Sequence, residues 1–205
     1  LHNALLALGE EKPLVAVMDG IATSAAYMTA IATDRLFARE GTLTGSIGVI
    51  LQTTEITKLL EMVGVSARSF KSGSLKAAPS PLEPVTPEVA EATQSLVADM
   101  YRMFRDMVLR RRGMSPADAG KFADGRVFTG LQALKAGLID QIGGEEDAKA
   151  WLVGQKNVSE DLEIRTVRLK PDAGSLLVQL DSLARKTILS ERLTLDGLIS
   201  VWHLR

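Results

Sequence analysis

Two kinds of side chain in this sequence could carry covalent chemistry, a serine and a lysine. Ser24 sits in Val15-Ala-Val-Met-Asp-Gly-Ile-Ala-Thr-Ser-Ala-Ala-Tyr-Met-Thr29, flanked by Ala22, Thr23, Ala25 and Ala26. Small neighbours let another molecule approach the backbone closely. A serine at a helix start most often caps the helix N-terminus. The same position also suits a nucleophile on a strand-to-helix turn, where exposed N–H groups and the helix dipole face its hydroxyl. The Gly-x-Ser-x-Gly elbow pattern of hydrolases is absent.

A serine hydroxyl needs a base. Histidine occurs only as His2 and His203, each near a terminus, which argues against a Ser-His-Asp triad or a His-rich metal site. Cysteine is absent, which removes disulfides, thiol catalysis and cysteine–metal sites. A lysine or a carboxylate is left. An ordinary lysine is neutral in only about one molecule in 2,500 at pH 7. Burial can lower its pKa by up to ~3–5 units and turn it into a working base. Phe70-Lys-Ser-Gly-Ser-Leu-Lys-Ala-Ala-Pro-Ser80 offers Lys71 and Lys76, the latter set between Leu75 and Ala77-Ala78. A charged Lys71 nearby would help depress Lys76. Residue spacing alone does not join either lysine to Ser24.

The elements that would position these groups alternate. Residues 13–19, 35–38, 46–51 and 67–70 read as short strands, and 24–33 and 54–63 as helices. That alternation implies crossover connections and a largely parallel sheet, an α/β fold. Residues 71–85 are a loop rich in Gly and Pro. Thr86-Pro87-Glu88 supplies an N-cap, a first-turn proline and an acid for a helix to about Arg112. Along it Val89, Leu96, Met100, Met103, Phe104 and Met107 make an apolar stripe, of the kind found in cores and oligomer contacts. Ser115–Asp118 resembles a capping box for one shorter helix, Thr129 caps a second that Gly137 ends, and 145–153 form another. Leu162–Leu169 alternates like an edge strand, and 174–205 hold helical segments. Residues 1–155 are expected to be the catalytic α/β domain, and 156–205 a C-terminal strand and helical extension.

Composition narrows the function. The 205 residues carry a formal net charge of −1, so no global field recruits nucleic acid or an acidic membrane. Arg110–Arg112 reads as a solvated helix end. No apolar run approaches the ~20 residues of a membrane span, and no signal-peptide pattern opens the chain. It begins at Leu1 with what reads as the tail of an amphipathic helix, as though its front were trimmed.

Three segments together resemble the signal peptide peptidase A family, membrane-bound bacterial serine peptidases with a Ser/Lys dyad. They are Val15–Tyr27, Gly41-Thr-Leu-Thr-Gly-Ser-Ile-Gly-Val49, and Asp124-Gly-Arg-Val-Phe-Thr-Gly130 running through Ala133–Asp140 to Gly143-Gly144. The likeness covers roughly residues 10–155. It implies a crotonase-like (caseinolytic-protease-like) spiral of βα units with additional helices. Motif by motif it implies Ser24 as nucleophile and Lys76, in Lys-x-Gly-x-x-Lys, as general base. It also implies Ser46 as the serine holding the lysine amine, and the Ala25 N–H as an oxyanion donor. No cofactor or metal is implied. The implied substrates are cleaved signal peptides or other membrane-associated peptides, extended and with small or apolar side chains in the specificity pockets. The implied setting is a ring- or dome-shaped homo-oligomer at the periplasmic side of a bacterial inner membrane, held by an anchor absent from this chain. Two departures stand out. Ala25-Ala26 replace the glycines many members have after the nucleophile, and the family's second oxyanion donor lies upstream of Leu1. A catalytically silent scaffold subunit, a crotonase-type acyl-CoA enzyme and a phage-capsid maturation peptidase are the rival readings.

Overall fold

The computed structural model of the chain describes residues 1–165 and 167. It is a mixed α/β structure whose chain folds as two compact units. The first is built from residues 1–44 and the described chain from 128 onward, the second from Gly45–Val127. The expected 1–155 domain therefore carries the second unit as an insertion.

In the first unit α1 (His2–Glu11) precedes β1 (Val15–Met18), β2 (Ile21–Thr23), α2 (Ala25–Ala30), β3 (Arg35–Ala38) and β4 (Leu43–Gly45, its last residue in the second unit). β5 (Val127–Thr129, its first residue in the second unit), α5 (Gly130–Lys135), β6 (Gln141–Ile142) and α6 (Glu145–Lys156) complete it. One sheet has the order β1-β3-β6, and both of its pairings are parallel, Val15 facing Arg35 and Phe37 facing Gln141. The parallel pairing that alternation implied is thus present, with β3 central and Leu36, Phe37 and Ala38 buried. A second sheet has the order β2-β4-β5.

Tyr27 fixes α2 to this framework. Its ring is fully buried, and its hydroxyl donates to the Leu138 carbonyl at 2.7 Å. Gly130 is needed for a different reason. A Cβ there would lie 2.0 Å from the Arg39 carbonyl oxygen, so only glycine lets the start of α5 reach the β3–β4 turn.

The second unit holds α3 (Thr57–Met62), α4 (Pro87–Arg112) and a 3-10 helix, Pro116–Lys121. The local signals are used as the sequence reads. Thr86 Oγ1 accepts from Val89 N at 3.3 Å, and Gly113 ends α4 at φ 62°. Thr129 and Gln132 close a capping box at α5.

Four expectations differ. The strand read over 46–51 lies earlier, at β4, because Gly45 (φ 80°) and Ser46 (φ 52°) leave the extended region in succession. Residues 67–70 are irregular, with Phe70 97% exposed; the run offers one large apolar side chain and finds no strand to pair with. On α4 the buried line is Val89, Phe104, Val108 and Leu109, while Leu96 and Met103 stay on the surface. Residues 162–165 are not a strand; the rest of that alternating run, bar Val167, and the helical segments expected over 174–205 lie outside the described residues. Among the described residues no helix is long and apolar enough to cross a membrane.

Two outcomes follow from this packing. Gly130→Ala is expected to destabilise by about 1–3 kcal/mol through overpacking, and an unchanged urea midpoint would contradict the close approach. Asp118 caps the 3-10 helix; the Lys121 ammonium, then the Ser115 hydroxyl and N–H, hold its carboxyl down at about 2. A depressed carboxylate stabilises fully above its unfolded pKa of ~3.9 and loses that contribution as pH falls through its folded value. Asp118→Asn should therefore flatten the fall of the urea midpoint between about pH 4 and pH 2; identical slopes would contradict the pairing.

Candidate active site

Ser24 joins β2 to α2. Its backbone lies at φ 52°, ψ −116°, a conformation that disfavours a side chain and costs of order 1–3 kcal/mol. Its hydroxyl makes no capping bond to α2. The capping role a serine usually has in this setting is therefore not the one it plays. The residue is 6% exposed, and no hydrogen-bond partner for its Oγ is found among the described residues. The hydroxyl on this strained turn is thus not spent on the helix.

The turn is clamped from both sides. Upstream, Leu43 N donates to Gly20 O at 2.8 Å, and the fully buried Thr44 hydroxyl donates to Ala22 O at 2.8 Å. Thr42 Oγ1 donates to Met18 O at 2.6 Å and accepts from Arg39 N at 3.0 Å. Downstream, Met28 N donates to Ser24 O at 2.9 Å as the first intrahelical bond, and Tyr27 anchors the helix. The Ala25 N–H precedes that first bond, so the helix makes no use of it, and it adjoins the serine. Thr42 and Thr44 escaped the sequence reading. Their signal is two hydroxyls alternating within Thr-Leu-Thr-Gly, where a strand buried on one face would carry apolar residues.

Ser46 and Lys76 belong to the other unit. Ser46 sits at φ 52°, its N–H donating to Arg126 O at 2.9 Å, while Gly125 N donates to Ile47 O at 3.2 Å. Asp124 receives the Arg126 guanidinium, 2.8 Å from Nε to Oδ2, and the Arg126 backbone N–H at 3.1 Å. The guanidinium holds the Asp124 carboxyl below the usual carboxylate range, and Asp124 in turn raises Arg126. Asp124-Gly-Arg126 is thus a locked turn with Gly125 at φ 85°. A Cβ at Gly48 would stand 3.1 Å from Gly125 Cα, so the first motif's glycine lets the second motif's turn come close.

Lys76 lies in a pair of overlapping turns, its N–H donating to Gly73 O at 3.1 Å and Ala78 N donating to Leu75 O at 3.2 Å. Leu75 and Ala77 do not dry it, because Leu75, Lys76 and Ala77 are all exposed. Lys71 is not a free positive neighbour either. Its ammonium is paired with the Glu83 carboxylate, whose pKa it lowers together with the Ser69 hydroxyl. Beyond Lys76 the same unit holds a cavity of about 290 Å³ lined by Val49, Ile50, Leu51, Pro79, Val85 and Val97 among others.

Backbone strain gathers on the motif residues. Among the described residues, four that are not glycine have positive φ: Ser24, Ser46, Ala77 and Asn157. Asn157 is an ordinary left-handed helix stop. The other three are the two candidate serines and the residue after the candidate lysine. Strain of this kind concentrates at functional sites.

A strand–turn–helix serine on a parallel α/β framework defines a hydrolase-like elbow, and comparison with known proteins gives the lineage. The sequence profile of peptidase family S49 matches residues 7–159, and the chain belongs to that family. A Synechocystis protein (strain ATCC 27184, PCC 6803, Kazusa) with a provisional protease name, slr0021, is 38% identical over 168 residues, 82% of this chain and 61% of its own length. The chloroplastic serine protease SPPA of Arabidopsis thaliana is 33% identical over 193 residues, 94% of this chain and 28% of its own length. The chain thus spans less than two thirds of these relatives. Among solved structures, an enoyl-CoA hydratase/isomerase family member aligns with 78% of this chain and 44% of its own, at TM-score 0.42 and 20% identity.

The strained turn yields its own expectation. Ser24→Gly relieves the backbone while Ser24→Ala keeps a Cβ there, so the glycine variant should be the more stable of the two by about 1 kcal/mol. Chemical denaturation of both variants checks this. An alanine variant as stable as the glycine one would contradict the strain.

Proposed function

We propose that the chain is the catalytic part of a serine endopeptidase with a Ser24/Lys76 dyad. Its substrates are cleaved signal peptides or other membrane-associated peptides, met on the extracytoplasmic side of a bacterial inner membrane. The observation that carries the reading is Ser24 itself, a strained, buried serine whose hydroxyl caps nothing, next to a backbone N–H that the helix does not use. The name of the Arabidopsis relative, a serine protease, supports the same chemistry.

In this mechanism Ser24 Oγ attacks the substrate carbonyl carbon and its proton passes to Lys76 Nζ. The negative charge that develops on the carbonyl oxygen is met by the Ala25 N–H. Lys76 then gives the proton to the departing amine as the C–N bond breaks, leaving an acyl-enzyme on Ser24. Water, deprotonated by the same amine, releases the acid and restores the serine. Ser46 holds the amine in line through its hydroxyl. The Lys76 turn is exposed in the lone chain, so the proposal includes its being covered when substrate or a neighbouring subunit is in place. A base must be stripped of water to act at neutral pH. The cavity that Val49, Ile50 and Val97 line together with Thr53, Thr93 and Gln94 offers apolar contacts to such a substrate.

Peptide hydrolysis by three chains tests the reading. Ser24→Ala and Lys76→Ala should each lower kcat at least about a hundredfold, and the intact chain should gain activity toward alkaline pH as the lysine loses its proton. Wild-type rates in either variant, or a rate maximum near pH 6, would contradict the dyad. A chain that cleaves nothing and takes up no serine-directed phosphonate would leave the scaffold reading in its place.

A further inference from the structure

Lys71 and Lys76 stand on one loop, and the structure treats them differently. The Lys71 ammonium is engaged by the Glu83 carboxylate, the two side chains being 17% and 32% exposed. Lys76 has no side-chain hydrogen bond or ion pair among the described residues. Of the two amines, only the second is uncommitted.

The two limbs of the loop are held by different means. The returning limb is tied through its backbone. Ile56 N donates to Pro81 O at 3.0 Å, Glu83 N to Ser80 O at 3.3 Å, and Val85 N to the Glu55 carboxylate at 3.4 Å. Glu55 in turn accepts from the Thr57 hydroxyl at 2.6 Å, where α3 begins. The approaching limb has no such ties. Among the described residues no backbone–backbone hydrogen bond involves 66–72. A segment without them keeps much of its conformational freedom unless its side chains are held. Here the Lys71 ammonium and the Ser69 hydroxyl both reach Glu83, and they keep its carboxyl below the usual range. Further along, Ser74 Oγ donates to Glu88 Oε1 at 3.2 Å in an exposed contact. Glu83 is thus where the loose limb meets the fixed one, and the loop closed there carries the Lys76 turn.

The geometry points to Glu83 as a positioning residue for Lys76. By gathering the Lys71 ammonium and the Ser69 hydroxyl, its carboxylate closes residues 71–83 into a loop and fixes the turn that presents Lys76. By occupying Lys71, it also leaves a single amine on this loop to serve as base. Closing the loop in advance removes chain entropy that would otherwise be lost when the base is brought into line. The inference rests on the Ser24/Lys76 reading, and Glu83 acts through the turn rather than on the reacting atoms.

Peptide hydrolysis by the full chain and its variants tests this. Glu83→Gln and Lys71→Met should each lower kcat about tenfold with KM unchanged, since a misplaced base slows the chemical step and leaves peptide binding alone. The double variant should lose no more than either single one, because both remove the same pair. Lys71→Arg keeps the charge and the hydrogen bond and should retain most of the activity. Hydrogen exchange gives a readout free of catalysis. The Lys76 and Ala78 amides, which close the turn, should exchange at least about tenfold faster in Glu83→Gln, while the amides of α4 exchange as in the unaltered chain. Unchanged exchange at those two amides would overturn the inference, and so would a wild-type kcat in Glu83→Gln beside an inactive Lys76→Ala. Lys76→Ala cleaving at the wild-type rate is a different failure: it removes the dyad itself, and Glu83 then has no base to position.

Discussion

The structure turns on the backbone of one residue. Ser24 is held at a positive φ between a three-residue strand and a six-residue helix, and neither element would keep it there alone. A helix that short is marginal by itself. The conformation persists because its surroundings over-determine it. The Thr44 hydroxyl and the Leu43 N–H fix the incoming strand, and the Tyr27 phenol ties the outgoing helix to the Leu138 carbonyl. Each contributes on the order of 1 kcal/mol. Together they match the strain they restrain. What the chain gains is a hydroxyl that is fixed in place yet not consumed by a helix cap.

The same economy recurs in the insertion. Ser46 takes a positive φ directly after Gly45, and the Asp124–Arg126 pair locks the turn that receives the Ser46 N–H. Gly48 is small because Gly125 Cα approaches it, and Gly125 because its φ is 85°. The motifs that read as separate words along the sequence are thus facing halves of one backbone arrangement. Lys76 differs from both serines. Its turn is defined, but its side chain faces solvent and no ion pair holds it among the described residues. Backbone geometry is therefore built in at the serines, whereas the Lys76 side chain lies exposed.

Much of the framework was legible because the signals are local. Thr86, Ser115 and Thr129 each act within three residues of themselves, and Leu36-Phe-Ala38 after Arg35 is a short apolar run that reads as a strand. Reading failed where a distant partner decided the outcome. The 46–51 run is apolar and β-branched, yet two positive-φ residues before it end the strand. The pairing of Lys71 with Glu83 spans a loop whose path no periodicity reveals. Ser24 suits a cap or a nucleophile on sequence, since both roles use the same small neighbours; the missing cap bond removes the cap. The face of α4 that is buried follows from where the rest of its unit packs, which helical spacing alone leaves undecided between adjoining stripes.

The central claim is that an amine removes the proton from this particular hydroxyl. Its most direct test is the second-order rate at which a fluorophosphonate modifies Ser24, followed by mass spectrometry from pH 6 to 10 in the intact chain and in Lys76→Met. The account predicts an adduct on Ser24 whose formation quickens with pH, and a loss of at least about a hundredfold in the variant. Modification that is slow, insensitive to pH and equal in both chains would contradict it.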